Sequence, residues 1–141
     1  MLLFVYGTLR RGADNHAQLG GSRMLGRAST AAAYELVDMG GYPALLEAGR
    51  VSVVGELYEV GSTLGRQLDA FEEVPSLYVR KAVALDLASR RLCRARGFPF
   101  AEAYVMARTL ASQAPRIRSG DWLARGNLAA ADVPVESLRT P

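Results

Sequence analysis

The pattern of apolar and polar positions opens with an unbroken apolar run, Leu2 to Tyr6, which predicts a buried first strand ending at Gly7. The stretch "GADNHAQL" predicts a loop feeding a short helix capped near Asp14 or Asn15. A strand is expected within "STAAAYELVDM", followed by a turn at "GGYP", where two glycines free the backbone and Pro43 sets the next dihedral. "ALL" and "RVSVVGELYEV" read as further strands, with Val51 and Val53 alternating and Gly55 as a bulge. Period 3.6 is clear in "STLGRQLDAFEE", where Ser62 or Thr63 caps and Leu64, Leu68 and Phe71 share one face. "YVRKAVALDL" and "RLCRARGF" then read as two strands joined around Ala88 to Arg90, and "AEAYVM" as one more. A "SGDW" turn and a short helix after Asp132 close the chain.

Many strands, one strong helix and few parallel crossovers predict an α+β fold built on a curled sheet or small barrel. At 141 residues, half of them hydrophobic, the expectation is a single domain over 1–141, with the tail from about 123 peripheral. Net charge is +3 and almost all the positive charge is Arg, Lys81 being the only lysine. The densest basic cluster, "RRLCRAR", has no interleaved aromatics on which bases could stack, so it reads as a solvated strand face or hairpin end and no nucleic-acid partner is expected. "MLLFV" is too short for a signal peptide core or a membrane span, so no membrane partner and a cytoplasmic protein are expected.

The sole cysteine, Cys93, excludes an intrachain disulfide and a thiolate metal cluster, fits a reducing compartment and reads as a packed strand residue. The sole histidine, His16, excludes a two-histidine metal motif, and its helix-start context favours a solvent-facing role. The adjacent glutamates of the helix differ in direction. Glu73 falls opposite the Leu64–Leu68–Phe71 face and points to water, whereas Glu72 falls at its edge. A carboxylate there either reaches out to solvent as an ordinary boundary residue or faces a cavity. In "FVYGTLRRG" a strand ending in Gly exits plainly into a loop, or turns so that consecutive N–H groups meet a small anion.

Taken together, "VYGTL", "GGYPAL", "VVGELYEV", "LDAFEEVPSLYVR" and "AEAYVM" resemble, in order and spacing, the γ-glutamylcyclotransferase-like family, from Met1 to about Trp122. The resemblance implies a small mixed β-barrel with flanking helices. It also implies conversion of a γ-glutamyl compound to 5-oxoproline and a free amine without a cofactor. The family's catalytic glutamate falls on Glu72, its loop on Tyr6, Gly7, Thr8 and Leu9, and its motif tyrosine on Tyr78. Tyr42, Pro43 and Tyr104 are candidate pocket walls. Tyr78 either orients Glu72, lines the pocket or packs in the core; Arg80 either anchors a carboxylate or pairs with Glu73. The position after the glutamate, often Gly in the family, is Glu73 here. The partner implied is a small γ-glutamyl substrate, a γ-glutamylamine in preference to a γ-glutamyl amino acid, and the alternative is a non-catalytic module holding the same ligand.

Overall fold

The computed structural model describes residues 1–125. Seven strands form one sheet: β1 (Leu2–Val5), β2 (Arg23–Ser29), β3 (Tyr34–Asp38), β4 (Pro43–Glu47), β5 (Val54–Glu59), β6 (Val79–Val83) and β7 (Ala101–Val105). Two α-helices, α1 (Ser62–Phe71) and α2 (Leu87–Ala95), and two 3₁₀ turns, His16–Leu19 and Arg108–Leu110, complete the described elements. The α+β class is as expected. The strand order β2-β5-β1-β7-β4-β3, with β6 branching from β7, leaves β2 and β3 at separate ends, so the sheet is not a closed barrel.

Both faces of this sheet are covered, which is why its central strands carry continuous apolar runs. Along β1, Leu2 and Phe4 enter one core and Leu3 and Val5 the other. Helix α2 places Cys93 in the first core, to which Trp122 also belongs; α1 places Leu68 in the second. Among the described residues no helix is long and apolar enough to cross a membrane.

The sheet forks at β7. Strand β6 pairs antiparallel with all of β7, from Val79↔Val105 to Val83↔Ala101, and so occupies one edge completely. Strands β1 and β4 must share the other edge, each parallel to β7, at Leu3↔Glu102 and Leu45↔Val105 respectively. Where they diverge, the Tyr6 hydroxyl bridges the gap, donating to the Tyr104 carbonyl (2.6 Å) and accepting from the Leu45 N–H (3.2 Å). Both groups are buried, so Tyr6→Phe leaves a donor and an acceptor unmet. The expected cost is about 1–3 kcal/mol, read as a lower urea midpoint with an unchanged slope.

Four expectations change. Arg91 to Ala95 of "RLCRARGF" belong to helix α2, not a strand: the Asp86 carboxylate caps it by accepting the Ser89 N–H (2.9 Å), and Ser89 and Cys93, four residues apart, form its buried stripe. Cys93 is thus a helix residue, and Arg90, Arg91 and Arg94 form a solvated helix face. The strand expected in "STAAAYELVDM" is interrupted: Ser29 ends β2, which was not foreseen, and Tyr34 begins β3. The bulge lies between Met24 and Gly26 in β2, while Gly55 pairs in register with Ala28. A Cβ at Gly55 would collide with the Val5 carbonyl oxygen and the Phe4 ring, so close strand packing accounts for that glycine. Finally, α1 is preceded by Gly61 at its N-cap and receives no side-chain cap from Ser62 or Thr63. The helix expected after Asp132 lies outside the described residues.

Candidate functional site

A cavity of about 400 Å³ opens beside the fork. The end of β1 and the following loop supply Tyr6, Gly7, Thr8 and Leu9; the β3–β4 turn supplies Tyr42 and Pro43; the end of α1 supplies Glu72; and Tyr78 and Tyr104 come from beside β6 and from β7. All nine residues singled out in the sequence line this one cavity, together with Phe71, Glu73, Asp14, Asn15 and Leu77, which sequence reasoning did not assign to it.

The loop is held from two sides. The Arg10 N–H bonds the Gly7 carbonyl (3.0 Å) and the Asn15 N–H bonds that of Thr8 (2.8 Å), which tightens the turn. Among the described residues the N–H groups of Gly7, Thr8 and Leu9 donate to no protein acceptor. Beneath them lies a buried ion network. Arg10, 4% exposed, donates from Nε to Glu56 Oε2 (3.2 Å) and from Nη1 to Asp121 (2.8 Å). Glu56, 5% exposed, also accepts the Arg11 N–H (2.8 Å) and the Tyr58 hydroxyl (2.9 Å) on Oε1. Burial, together with that hydrogen bond, pushes the Tyr58 hydroxyl up to about 12. Sequence reasoning missed this network; its signal was a carboxylate inside "GELY", an otherwise apolar strand.

Gly7 is required by packing. A Cβ there would collide with Pro43 Cγ, so the loop and the "GGYP" turn touch directly. That turn is built by Asp38, whose carboxylate accepts the N–H groups of Gly40 (2.8 Å) and Gly41 (3.2 Å) while both glycines take positive φ. The Tyr78 hydroxyl donates to the Pro43 carbonyl (2.6 Å), fixing the turn from the opposite side. Tyr78 therefore lines the cavity and braces its wall, and its ring meets Tyr104 edge-on at 6.4 Å.

Glu72 owes its position to the way α1 ends. The Glu73 N–H bonds the Ala70 carbonyl (3.1 Å) and the Val74 N–H bonds that of Asp69 (2.9 Å), the paired bonds of a Schellman motif. Glu73 occupies its left-handed position with φ 54°, a conformation that suits glycine. Glu72, one residue earlier, is turned to the cavity and is partly buried. Burial first, and the neighbouring Glu73 charge second, raise its carboxyl to about 7 from the usual 4.5. Among the described residues it has no cationic partner.

Asp69, one turn before, behaves oppositely. Burial alone would raise its carboxyl, but hydrogen bonds from Arg80 and from the Tyr104 hydroxyl (2.7 Å) outweigh that and hold it low. Arg80 grips Asp69 through both arms of its fork, Nε at 2.9 Å and Nη2 at 3.0 Å, and reaches Glu102 at 3.3 Å. Its partner is thus Asp69, not Glu73. This clamp ties α1 to β6 and β7 immediately before Glu72. His16 is half-buried and not solvent-facing as expected, its Nδ1 2.9 Å from the Leu9 carbonyl oxygen and its ring 5.8 Å from that of Tyr58. No three His, Cys, Asp or Glu side chains among the described residues gather closely enough to hold a metal ion.

A forked α+β sheet carrying a small cavity, with unpaired main-chain donors on one wall and one carboxyl near neutrality on another, defines a small-molecule site equipped for proton transfer. Residues 3–124 match the family model described as "Gamma-glutamyl cyclotransferase, AIG2-like", and the chain belongs to that family. It is 40% identical over 100 residues to the γ-glutamylaminecyclotransferase of Homo sapiens, covering 64% of this chain and 65% of the relative. It is 44% identical over 72 residues to the γ-L-glutamyl-butirosin B γ-glutamyl cyclotransferase of Niallia circulans, covering 50% and 45%. The solved structure of an AIG2-like protein from Mus musculus superposes with a TM-score of 0.67 at 32% identity, covering 85% of this chain and 87% of that one. The sequence resemblance to γ-glutamylcyclotransferases, and the enzyme type it implied, therefore stand.

Proposed function

We propose that the chain converts a γ-glutamyl amide to 5-oxoproline and a free amine within this cavity, with Glu72 moving the proton and the Gly7–Leu9 amides holding negative charge. The substrate's α-amine attacks its own γ-carbonyl carbon. The new C–N bond closes the five-membered lactam, the old C–N bond breaks, and the proton lost by the α-amine ends on the departing amine. Since the attack is intramolecular, orientation supplies much of the rate, with effective molarities of ~10⁵ M or more in aligned systems. No protein nucleophile is needed.

Glu72 suits the shuttle because its carboxyl sits at about 7, where it accepts a proton from an ammonium and returns it within one turnover. The unpaired N–H groups of Gly7, Thr8 and Leu9 suit the α-carboxylate or the carbonyl oxygen as it gains charge. The observation that carries the reading is this pairing: a raised carboxyl and three unused main-chain donors lining one cavity. Tyr6, Tyr42, Pro43, Tyr78 and Tyr104 enclose the substrate and exclude water. The lone cysteine suits a reducing compartment, in keeping with a cytoplasmic location.

The test is release of 5-oxoproline from γ-glutamyl compounds, followed across pH. The base form of Glu72 is present above its pKa, so kcat/KM should climb tenfold per pH unit below about 7 and level off above it. Calorimetric binding of the compounds without product release would replace the enzyme by a non-catalytic binding module.

A further inference from the structure

The chain has 17 Lys and Arg residues and a net charge of +3, yet among the described residues no Lys, Arg or His lines the cavity. Among the described residues its formally charged side chains are the carboxylates Asp14, Glu72 and Glu73. Among the described residues none of the three is in an ion pair, whereas Glu35, Glu47, Glu56, Asp69, Glu102 and Asp121 all are.

Exposure sorts the lining into depth and rim. Tyr6, Gly7, Leu9, Pro43, Tyr78 and Tyr104 are buried, while Asp14, Glu73, Tyr42 (37% exposed) and Phe71 (40% exposed) reach solvent. The γ-glutamyl half, with an ammonium for Glu72 and a carboxylate for the loop amides, belongs in the depth. Whatever is attached to the γ-carbonyl must then extend to the rim. There it meets two carboxylates free of protein cations and two half-exposed aromatic rings, the combination that recognises an organic ammonium. A carboxylate carried to the same place would meet two like charges and, among the described residues, no compensating cation.

We propose that this cavity selects γ-glutamyl amides whose leaving amine carries a second ammonium and no carboxylate, a γ-glutamylated diamine or polyamine, with Glu73 as the discriminating residue. The inference rests on the reaction proposed above and adds the class of leaving amine. The remote amine of such a substrate is protonated at neutral pH, as a lysine side chain is. Glu73 is the natural discriminator because the Schellman geometry at its position suits glycine, and a glycine there would leave Asp14 as the only carboxylate on the rim.

Four substrates decide the matter: mono-γ-glutamyl-1,4-diaminobutane, its uncharged counterpart γ-glutamyl-n-pentylamine, the ε-lysine isopeptide, whose amine carries both charges, and γ-glutamylalanine. The wild type should prefer the diamine by about tenfold in kcat/KM over the pentylamine, and by more over γ-glutamylalanine. The lysine isopeptide should fall below the diamine because its carboxylate cancels the gain. In Glu73→Gln the diamine-to-pentylamine ratio should shrink to within about threefold, and 0.5 M salt should reduce it in the wild type. Glu73→Gln also lowers the Glu72 pKa, but a ratio taken on one enzyme at one pH cancels that change. Asp14→Asn should shrink the ratio as a second variant. Equal turnover of diamine and pentylamine, a preference for γ-glutamylalanine, or a ratio unmoved in both variants would overturn the inference while leaving 5-oxoproline formation intact. Should none of the four yield 5-oxoproline, the proposed reaction falls, and the calorimetric Kd ratio of diamine to pentylamine conjugate decides the selectivity by the same limits.

Discussion

Glu72→Gln is expected to fold as the wild type does and to lose 5-oxoproline formation on every γ-glutamyl substrate, with kcat down by about 10²–10⁴. The amide keeps the size and shape of the side chain but neither takes a proton from the substrate ammonium nor returns one to the leaving amine. KM should change far less, because the substituted side chain still fills the same place among Tyr6, Tyr78 and Tyr104 in the cavity wall. A second readout separates lost chemistry from lost structure. The folded-state carboxyl at about 7 lies above its ordinary 4.5, so the folded chain holds this proton more tightly than the unfolded one. Wild-type stability should therefore fall as pH rises from 4.5 through about 7, and stay level above that. By linkage, discounted for partial exposure, the loss is on the order of 2 kcal/mol. Glu72→Gln should lack this decline and be the more stable protein at pH 8, measured by urea unfolding at pH 5 and pH 8. A variant that keeps full turnover while showing the expected gain in stability would place the proton transfer elsewhere.

The other large effect is expected beneath the loop. Glu56→Ala strips the partner from the buried Arg10 guanidinium, and removes the acceptor for the Arg11 N–H and the Tyr58 hydroxyl. Breaking one side of a buried pair costs about 3–5 kcal/mol, because a charge is left without its counter-ion. Asp121 remains near Arg10 and softens that loss, which puts the lower end of the range nearer. Glu56→Gln loses the same counter-ion but keeps an oxygen for the Arg11 N–H, so it should recover only part of that loss. Denaturant midpoints order the three proteins: wild type, then the glutamine variant, then the alanine variant. Equal midpoints for the two variants would mean that charge, and not the acceptor geometry, holds the loop.

These two carboxylates also mark how much was legible beforehand. Local periodicity placed Glu72 only at the edge of the buried face, open to solvent or to a cavity, because a helix rotates about 100° per residue from the Leu64–Leu68 stripe; the family resemblance chose the cavity. Gly7 was legible as the break in the apolar run, but the reason for glycine there was not local: Pro43, from the distant β3–β4 turn, occupies the place of a Cβ. Phe71 kept to its helical face, yet that face runs off the core at the cavity rim and leaves the ring 40% exposed. Arg80 illustrates the limit. Its nearest anionic candidates in sequence gave no reason to choose Asp69, because the choice depends on how the end of α1 lies across β6.

Helix α2 was misread for a physical reason as well. "RLCRARGF" carries apolar residues at spacings that satisfy a short strand or a helix, and only the Asp86 cap, with a core face waiting for Cys93, separates them. Strand β2 was missed because its inward side chains are few; it is held as a strand by β5, from Arg23↔Glu59 to Ser29↔Val54.

By itself, then, the sequence determined what depends on neighbours along the chain: the burial of β1, the amphipathic α1, the "GGYP" turn and the place of Glu72 at the edge of the buried face. The order and spacing of its motifs determined the family. Only the tertiary structure decided what depends on elements far apart in sequence. It brought Tyr6 to the fork between β1 and β4, 98 residues from the carbonyl it bonds. It set Arg10 between Glu56 and Asp121, and it gathered Asp14 and Glu73 on one rim. Periodicity records which face of an element is buried, but not against what, and the chemistry of a cavity lies in that second choice.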